Sequence, residues 1–211
     1  MDLIIIGTGG HGRELAYLVQ DIEEFNFIGF VDDKYENDTC KIQISGKPIL
    51  GNVQSLINWS RPVALVIGIA YPEVREKIYT ELKNNPLLSF PNLISDKALV
   101  GNNIQLGIGN ILMPGATLIN DIELGNFNMV QVGTMIGHDS TIGDYNAIFP
   151  SVNISGFINM GNKNEIGVGT KIIPGIEVGN SSIVGAGSVV IHDIKSGTKN
   201  VGVPTRVIGY I

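Results

Sequence analysis

Apolar positions along this chain follow two different rhythms. Up to residue 95, apolar runs alternate with helix-spaced stripes. The run over residues 3–6 ends at Gly7, and residues 13–24 follow with Leu15, Leu18, Val19 and Ile22 at helical spacing. Residues 27–31 read as a second strand ending at Asp32 and Asp33, residues 48–50 as a short third and residues 63–69 as a strongly apolar fourth. A helical turn or two is predicted over 53–58. After Pro72, which suits the first turn of a helix, Val74, Ile78 and Leu82 share one face as far as Asn85. Strand and helix in alternation predict a small parallel sheet with helices on its faces.

Beyond residue 95 the helical period gives way to a period of six. Steps of six from Val100 to Val190 meet sixteen aliphatic residues in unbroken register. A fixed short period is the mark of a β-solenoid, in which each side of a coil turns one aliphatic residue inward. Longer columns set the number of sides. Glycine recurs at 107, 125, 143, 161 and 179. Asparagine recurs at 110, 128, 146 and 164, with Ser182 completing the column. A second glycine column runs through 115, 133, 169 and 187, with Ser151 in its gap. Columns eighteen apart mean three six-residue sides, a triangular cross-section and about five coils between 100 and 190. Glycine suits the corners, and stacked Asn amides predict hydrogen-bonded ladders between coils. The expected domains are 1–95, 96–195 and a tail over 196–211.

Composition narrows the function. The 211 residues are 44% apolar and 16% charged, with a net charge of −6 and no run of Lys or Arg, which argues against nucleic acid as a partner. Apolar runs fall well short of the ~20 residues that span a bilayer, and the N-terminus lacks a charged leader with a cleavage site. A cytoplasmic protein without membrane insertion is expected. The single cysteine, Cys40, forms no internal disulfide, binds no metal by itself and carries no sign of an activated nucleophile.

Residues that break the solenoid pattern carry the chemistry. His138, in Gly137-His-Asp139, sits two positions past the inward Ile136 and is suited to act as a general base. Asp139 beside it would orient the ring and support the imidazolium. Eighteen residues on, Gly156 stands one coil higher, about 5 Å up the stack. Its N–H is a candidate oxyanion donor. His192 is three coils above His138, roughly 14 Å by strand spacing. That is too far to share a metal held at ~2 Å, so no metal is expected. In the first half, Gly7-Thr-Gly-Gly-His-Gly12 fits G-x-G-x-x-G between a strand and a helix, with Asp32 twenty residues beyond Gly12. The context suits a phosphate over a helix N-terminus. A single mononucleotide unit points to a nucleotide or nucleotide-sugar rather than a dinucleotide, and a purely structural turn would not need His11.

Taken together, Gly7 to Arg13, Val31-Asp-Asp33, the hexapeptide half, Gly137-His-Asp139 and the closing Gly202-Val-Pro-Thr-Arg206 resemble the bacterial sugar acetyltransferases of the sialic acid O-acetyltransferase family, along essentially the whole chain. The family includes N-acetyltransferases of nucleotide-linked amino sugars. The resemblance implies a Rossmann-like α/β half-domain followed by a left-handed parallel β-helix. It also implies a homotrimer with acetyl-CoA in the groove between neighbouring β-helices, and acetyl transfer to the amine of a nucleotide-linked amino sugar in surface glycan biosynthesis. O-acetylation of a sialic acid, or an inactive assembly protein, are the alternatives. By resemblance His138 is the base, Asp139 its orienting partner and Gly156 the donor facing the thioester oxygen. Gly9, Gly10, His11, Asp32, Asp33 and Gln131 would contact the acceptor. Gly156, Val168, Ala186, Gly202, Pro204 and Arg206 would line the CoA path, Arg206 with a charge for phosphate. The chain departs from some members at Gln131, at Ala147 and over Gly68-Ile-Ala-Tyr71, positions around the acceptor sugar.

Overall fold

The computed structural model describes residues 1–35 and 42–211, so Cys40 lies outside the described residues. The chain divides into two compact units, Met1–Leu93 and Ile94–Ile211. Among the described residues no helix is long and apolar enough to cross a membrane.

In the first unit β1 (Asp2–Ile6), β2 (Asn26–Val31), β3 (Gln43–Ile44), β4 (Lys47–Gly51), β5 (Val63–Ile67) and β6 (Leu88–Ser89) lie in the order β3-β4-β2-β1-β5-β6. Every pairing is parallel except the β3–β4 hairpin. The central β1 and β5 are buried on both faces, which is why they read as unbroken apolar runs. Strands β3 and β6, two residues each, are too short to leave a period in the sequence. Three helices, α1 (Gly10–Leu18), α2 (Val53–Ile57) and α3 (Pro72–Leu82), connect the strands.

Helix α1 starts earlier than its apolar stripe and ends sooner. A 3₁₀ turn, Val19–Asp21, follows it, and Ile22 is already extended at φ −110°, ψ 99°. The early start depends on two glycines. A Cβ on Gly12 would fall 2.0 Å from the Gly7 carbonyl oxygen, and Gly7 has φ +102°. Helix α3 buries Arg75 to 1% exposure beside Ile78 and Leu82. Its guanidinium donates to the carbonyls of Ile69 and Ala70, so it braces the loop after β5.

From the strand Leu93–Ile94 onward the chain winds as a three-sided, left-handed parallel β-helix. Rungs pair at an offset of eighteen: Leu118 with Ile136, Ile136 with Ile154, Ile154 with Ile172 and Ile172 with Val190. The first coil opens ahead of Val100, so there are about six coils where the aliphatic run alone implied five. After Val190 the repeat loses two residues: Val178 bridges Ile194 and Val184 pairs with Asn200, each at sixteen. A hairpin of Thr198–Val201 and Arg206–Tyr210 closes the stack.

The inward aliphatics form one continuous core from Leu112 to Ile194. The expected ladder is present. Asn110, Asn128, Asn146 and Asn164 are fully buried. Each side-chain oxygen accepts the backbone N–H one coil on, at 2.8 Å, and Ser182 ends the column. Every sixth residue from Asn103 to Gly187 turns the corner with φ between 52° and 77°. Glycine fills most of one corner column, while Asn, Asp, Ser, Lys and aromatic residues take the left-handed conformation elsewhere.

Candidate active site

The site grows out of the corners. The corner residue of each coil donates its N–H to the carbonyl of the residue before the corner one coil back: Phe157 to His138 at 2.9 Å, Gly175 to Gly156 at 3.1 Å. The N–H of that pre-corner residue takes no part in the ladder and points outward. On one edge of the prism, side chains of the next coil satisfy it. Asn126 N–H reaches Asp144 Oδ1 at 2.6 Å and Asp144 N–H reaches Asn162 Oδ1 at 2.7 Å. On the edge holding His138 and Gly156, the next coil brings Pro174, which has no side-chain acceptor. Among the described residues the Gly156 N–H therefore has no protein acceptor.

Consecutive side chains in a straight strand point to opposite faces, and the left-handed turn at Asp139 (φ 55°) brings two together. Asp139 Oδ2 lies 2.7 Å from His138 Nδ1. With a carboxylate as acceptor, the imidazole keeps its hydrogen on Nδ1 and presents the Nε2 lone pair. The ring rests on Gly156: a Cβ there would fall 2.8 Å from both Cε1 and Nε2. Phe157 completes the surround, its ring centroid 5.0 Å from that of His138 and the planes at 86°. Half of the imidazole remains exposed.

Val168 and Ala186 stack eighteen apart on another edge, and after the loss of two residues the column continues at Gly202, with Pro204 two residues further on. The turn holding Gly202 and Pro204 is fastened to the coil beneath, with Gly202 N–H on Ser188 Oγ at 3.2 Å and Thr205 N–H on Val189 O at 2.9 Å. Arg206 is exposed beside it. Six residues of extended chain, roughly 20 Å, separate this edge from the one bearing His138. Gln131 is buried at 5% exposure at the same edge as Val168, in the neighbouring column of Gly167. One chain thus joins His138, Asp139 and Gly156, and keeps Val168, Ala186 and Gln131 away from them.

In the first unit, the middle and outer parts of the glycine loop differ. Gly7 and Gly12 are forced by packing, whereas a Cβ on Gly9 or Gly10 would meet nothing within 4 Å. Those two present open backbone at the start of α1. The Asp32 carboxylate accepts from Thr8 N–H at 2.7 Å, Thr8 Oγ1 at 2.6 Å and Lys34 N–H at 2.9 Å. Burial by itself would raise its pKa; the hydrogen bonds from Thr8 and Lys34, with the Lys34 charge, outweigh it and hold the carboxyl below its usual range. Asp33 Oδ1 accepts the Val53 N–H at 2.8 Å. Both acids line a cavity of about 140 Å³ with Gly7, Ile69, Lys77 and Glu81. His11 is mostly covered, 10% of its side chain exposed, with Nδ1 3.3 Å from Glu14. Burial lowers its pKa against the raising effect of Glu14, and the Arg75 charge lowers it further. Among the described residues no cluster of His, Cys, Asp and Glu could hold a metal. Sequence reasoning missed Thr8, Arg75 and Phe157. Phe157 was visible as the residue eighteen beyond Asp139, while the other two contacts are tertiary.

Residues 2–82 match the PglD N-terminal domain family. The whole chain is similar to a variant of perosamine N-acetyltransferase from Caulobacter crescentus solved with CoA and GDP-perosamine, at 26% identity and a TM-score of 0.90 over 99% of this chain and 97% of that one. The acetyltransferase domain of PglB from Neisseria gonorrhoeae gives 25% identity and 0.91 over 98% and 99%. WeeI from Acinetobacter baumannii gives 26% and 0.88 over 99% and 100%. Over essentially its whole length the chain is thus similar to bacterial sugar acetyltransferases of the hexapeptide-repeat superfamily. One further similarity is of another kind. Cytochrome P450 1A1 of Chaetodon capistratus is 27% identical over 93 residues, 39% of this chain, and the match spans only 17% of that protein's length.

Proposed function

We propose that this enzyme transfers the acetyl group of acetyl-CoA to the amine of a nucleotide-linked amino sugar in surface glycan biosynthesis, with His138 as general base. The observation that carries the reading is the His138 imidazole, fixed at Nδ1 by Asp139 and laid against the Gly156 backbone. The similar proteins solved with CoA and GDP-perosamine, or with acetyl coenzyme A, support the donor and the class of acceptor. In this chain the fit to a thioester rests on Gly156: its N–H is uncommitted, and a Cβ there would displace the base.

The steps follow from these groups. His138 Nε2 takes a proton from the acceptor amine as its nitrogen attacks the thioester carbon. Asp139 holds the Nδ1 hydrogen and supports the positive charge that forms. Gly156 N–H donates to the oxygen as it gains negative charge. His138 then returns its proton to the departing thiolate sulfur, so the base is regenerated and no covalent enzyme intermediate is formed. Gly9, Gly10, His11, Asp32 and Asp33 would take the nucleotide part of the acceptor, at the open glycines and the cavity beside them. We place CoA between the His138 edge of one copy and the Val168–Ala186–Pro204 edge of its neighbour in a cytoplasmic homotrimer, with Arg206 near a phosphate and Gln131 at the acceptor. The roughly 20 Å between the two edges of one chain supports that sharing.

The test is an acetyl-CoA thiol-release assay with UDP-, GDP- and CMP-linked amino sugars, followed by mass spectrometry. Product carrying one acetyl group that survives mild base is the expected amide. A base-labile product would mean O-acetylation, and no product from any donor–acceptor pair would overturn the reading.

A further inference from the structure

We propose that Phe157 is a positioning residue of the transfer reaction, clamping the His138 imidazole against Gly156. The proposal rests on the reading of His138 as the base, and it starts from a residue in the wrong place for its type. The corner column through Asp139 contains Asn103, Asp121, Asp139, Phe157 and Gly175, all left-handed. Asn, Asp and Gly tolerate that conformation, and a bulky side chain does not. Phe157 holds it at φ 59°.

Aromatic residues do occupy left-handed corners elsewhere, with a compensation that Phe157 lacks. Phe127 and Tyr145 stack at 5.3 Å and 5° between planes, and they are buried to 2% and 8% exposure. Phe157 is 60% exposed. It has gained neither a relaxed backbone nor burial. What its ring does touch is the base. An unfavourable backbone conformation kept beside reacting groups is the form that function-driven strain takes.

The geometry says what the ring does. The imidazole is held at Nδ1 by Asp139 and bounded on one side by the Gly156 backbone. Half exposed, it would otherwise be free to swing away from Gly156 about its own side-chain bonds. Phe157 closes that way out, so Nε2 and the Gly156 N–H stay aimed at the same reacting carbonyl.

The position makes stability and activity move in opposite directions. Phe157→Gly removes the left-handed penalty and only a part-exposed side chain, so its Tm should equal or exceed that of the parent enzyme. Its kcat should fall about ten- to a hundred-fold, as misplacement of a reacting group does. KM for acetyl-CoA should stay within about three-fold, and Phe157→Tyr should restore most of the rate. Light scattering on Phe157→Gly should give the same mass as the parent. Proton NMR supplies a readout independent of activity: the His138 ring protons should lose their aromatic ring-current shift in Phe157→Gly while those of His192 stay in place. An unchanged kcat in Phe157→Gly would overturn the proposal. So would a rate loss that tracks a lower Tm, a variant that dissociates, or unmoved His138 signals. If the parent enzyme transfers no acetyl group, the function reading fails and the NMR comparison alone decides whether Phe157 holds the ring.

Discussion

At the residue scale, the site is a histidine whose three neighbours are all fixed by the backbone of one corner. His138→Ala should lower kcat by roughly 10²–10⁴-fold, the usual share of a general base, and leave KM for acetyl-CoA little changed. Asp139→Asn should cost less, because the ring keeps a hydrogen-bond partner and loses only the charge. Steady-state rates against pH check both. Gly156→Ala tests the cradle. Its Cβ would lie 2.8 Å from Nε2, so the ring must turn out and kcat should drop about a hundred-fold while the melting temperature barely moves. Asp32 gives a prediction about stability. Its folded pKa lies below the ordinary value, so its contribution is present above about pH 4, the unfolded value, and is lost as pH falls through the folded one. Asp32→Asn should therefore lower Tm at pH 7, and the gap to the parent should close as the pH is brought well below 4.

At the scale of elements, the coils are held together by what they bury and by what they repeat. Asn146 is fully buried. Its amide donates to Asn128 Oδ1 at 3.0 Å, and its oxygen accepts the Asn164 N–H at 2.8 Å. Asn146→Ala strands that N–H inside the stack. Leaving buried polar groups unsatisfied costs about 1–3 kcal/mol each, so a loss of about 3 kcal/mol is expected by chemical denaturation. Thr141→Ala, on an exposed outward position, should stay within about 0.5 kcal/mol. The ladder, the inward aliphatics and the glycine corner column were all legible, because each recurs eighteen residues apart. The first unit was less legible. Strands β3 and β6 are too short to show a period, and the start of α1 is set by Gly12 packing on Gly7 rather than by its own apolar stripe. The buried Arg75 interrupts the expected face of α3 for the same kind of reason, a hydrogen bond to a loop that no helical pattern records.

At the scale of the whole molecule, the expectation concerns copies of the chain. The His138 edge and the Ala186 edge lie a full prism side apart, so a ligand spanning Gly156 and Ala186 fits better between two chains than on one. Ala186→Trp should block the CoA path and His138→Ala the chemistry, each leaving little activity. Under the proposed sharing of sites between copies, co-expression of the two variants should restore part of the rate, because a mixed assembly would contain sites built from two intact edges. If the mixture is as inactive as its components, the site lies within one chain.

The sequence by itself determined the β-helix, its three sides and the pairing of His138 with Gly156, because a solenoid converts spacing along the chain directly into height on the stack. It also located the glycine loop and the two acids after β2, since a strand, a turn and a helix in succession are local. Only the tertiary structure decided how those groups are used. It turned the Asp32 carboxylate onto Thr8 and Lys34, left the backbone of Gly9 and Gly10 open, and set Phe157 against the base. It also kept Gly156 beside the histidine while placing Val168 and Ala186, expected further along the CoA path, on another edge. A period gives the level a residue occupies and the side it lies on; the direction of a side chain at a left-handed corner, and the fate of an N–H that no ladder uses, depend on the coil above.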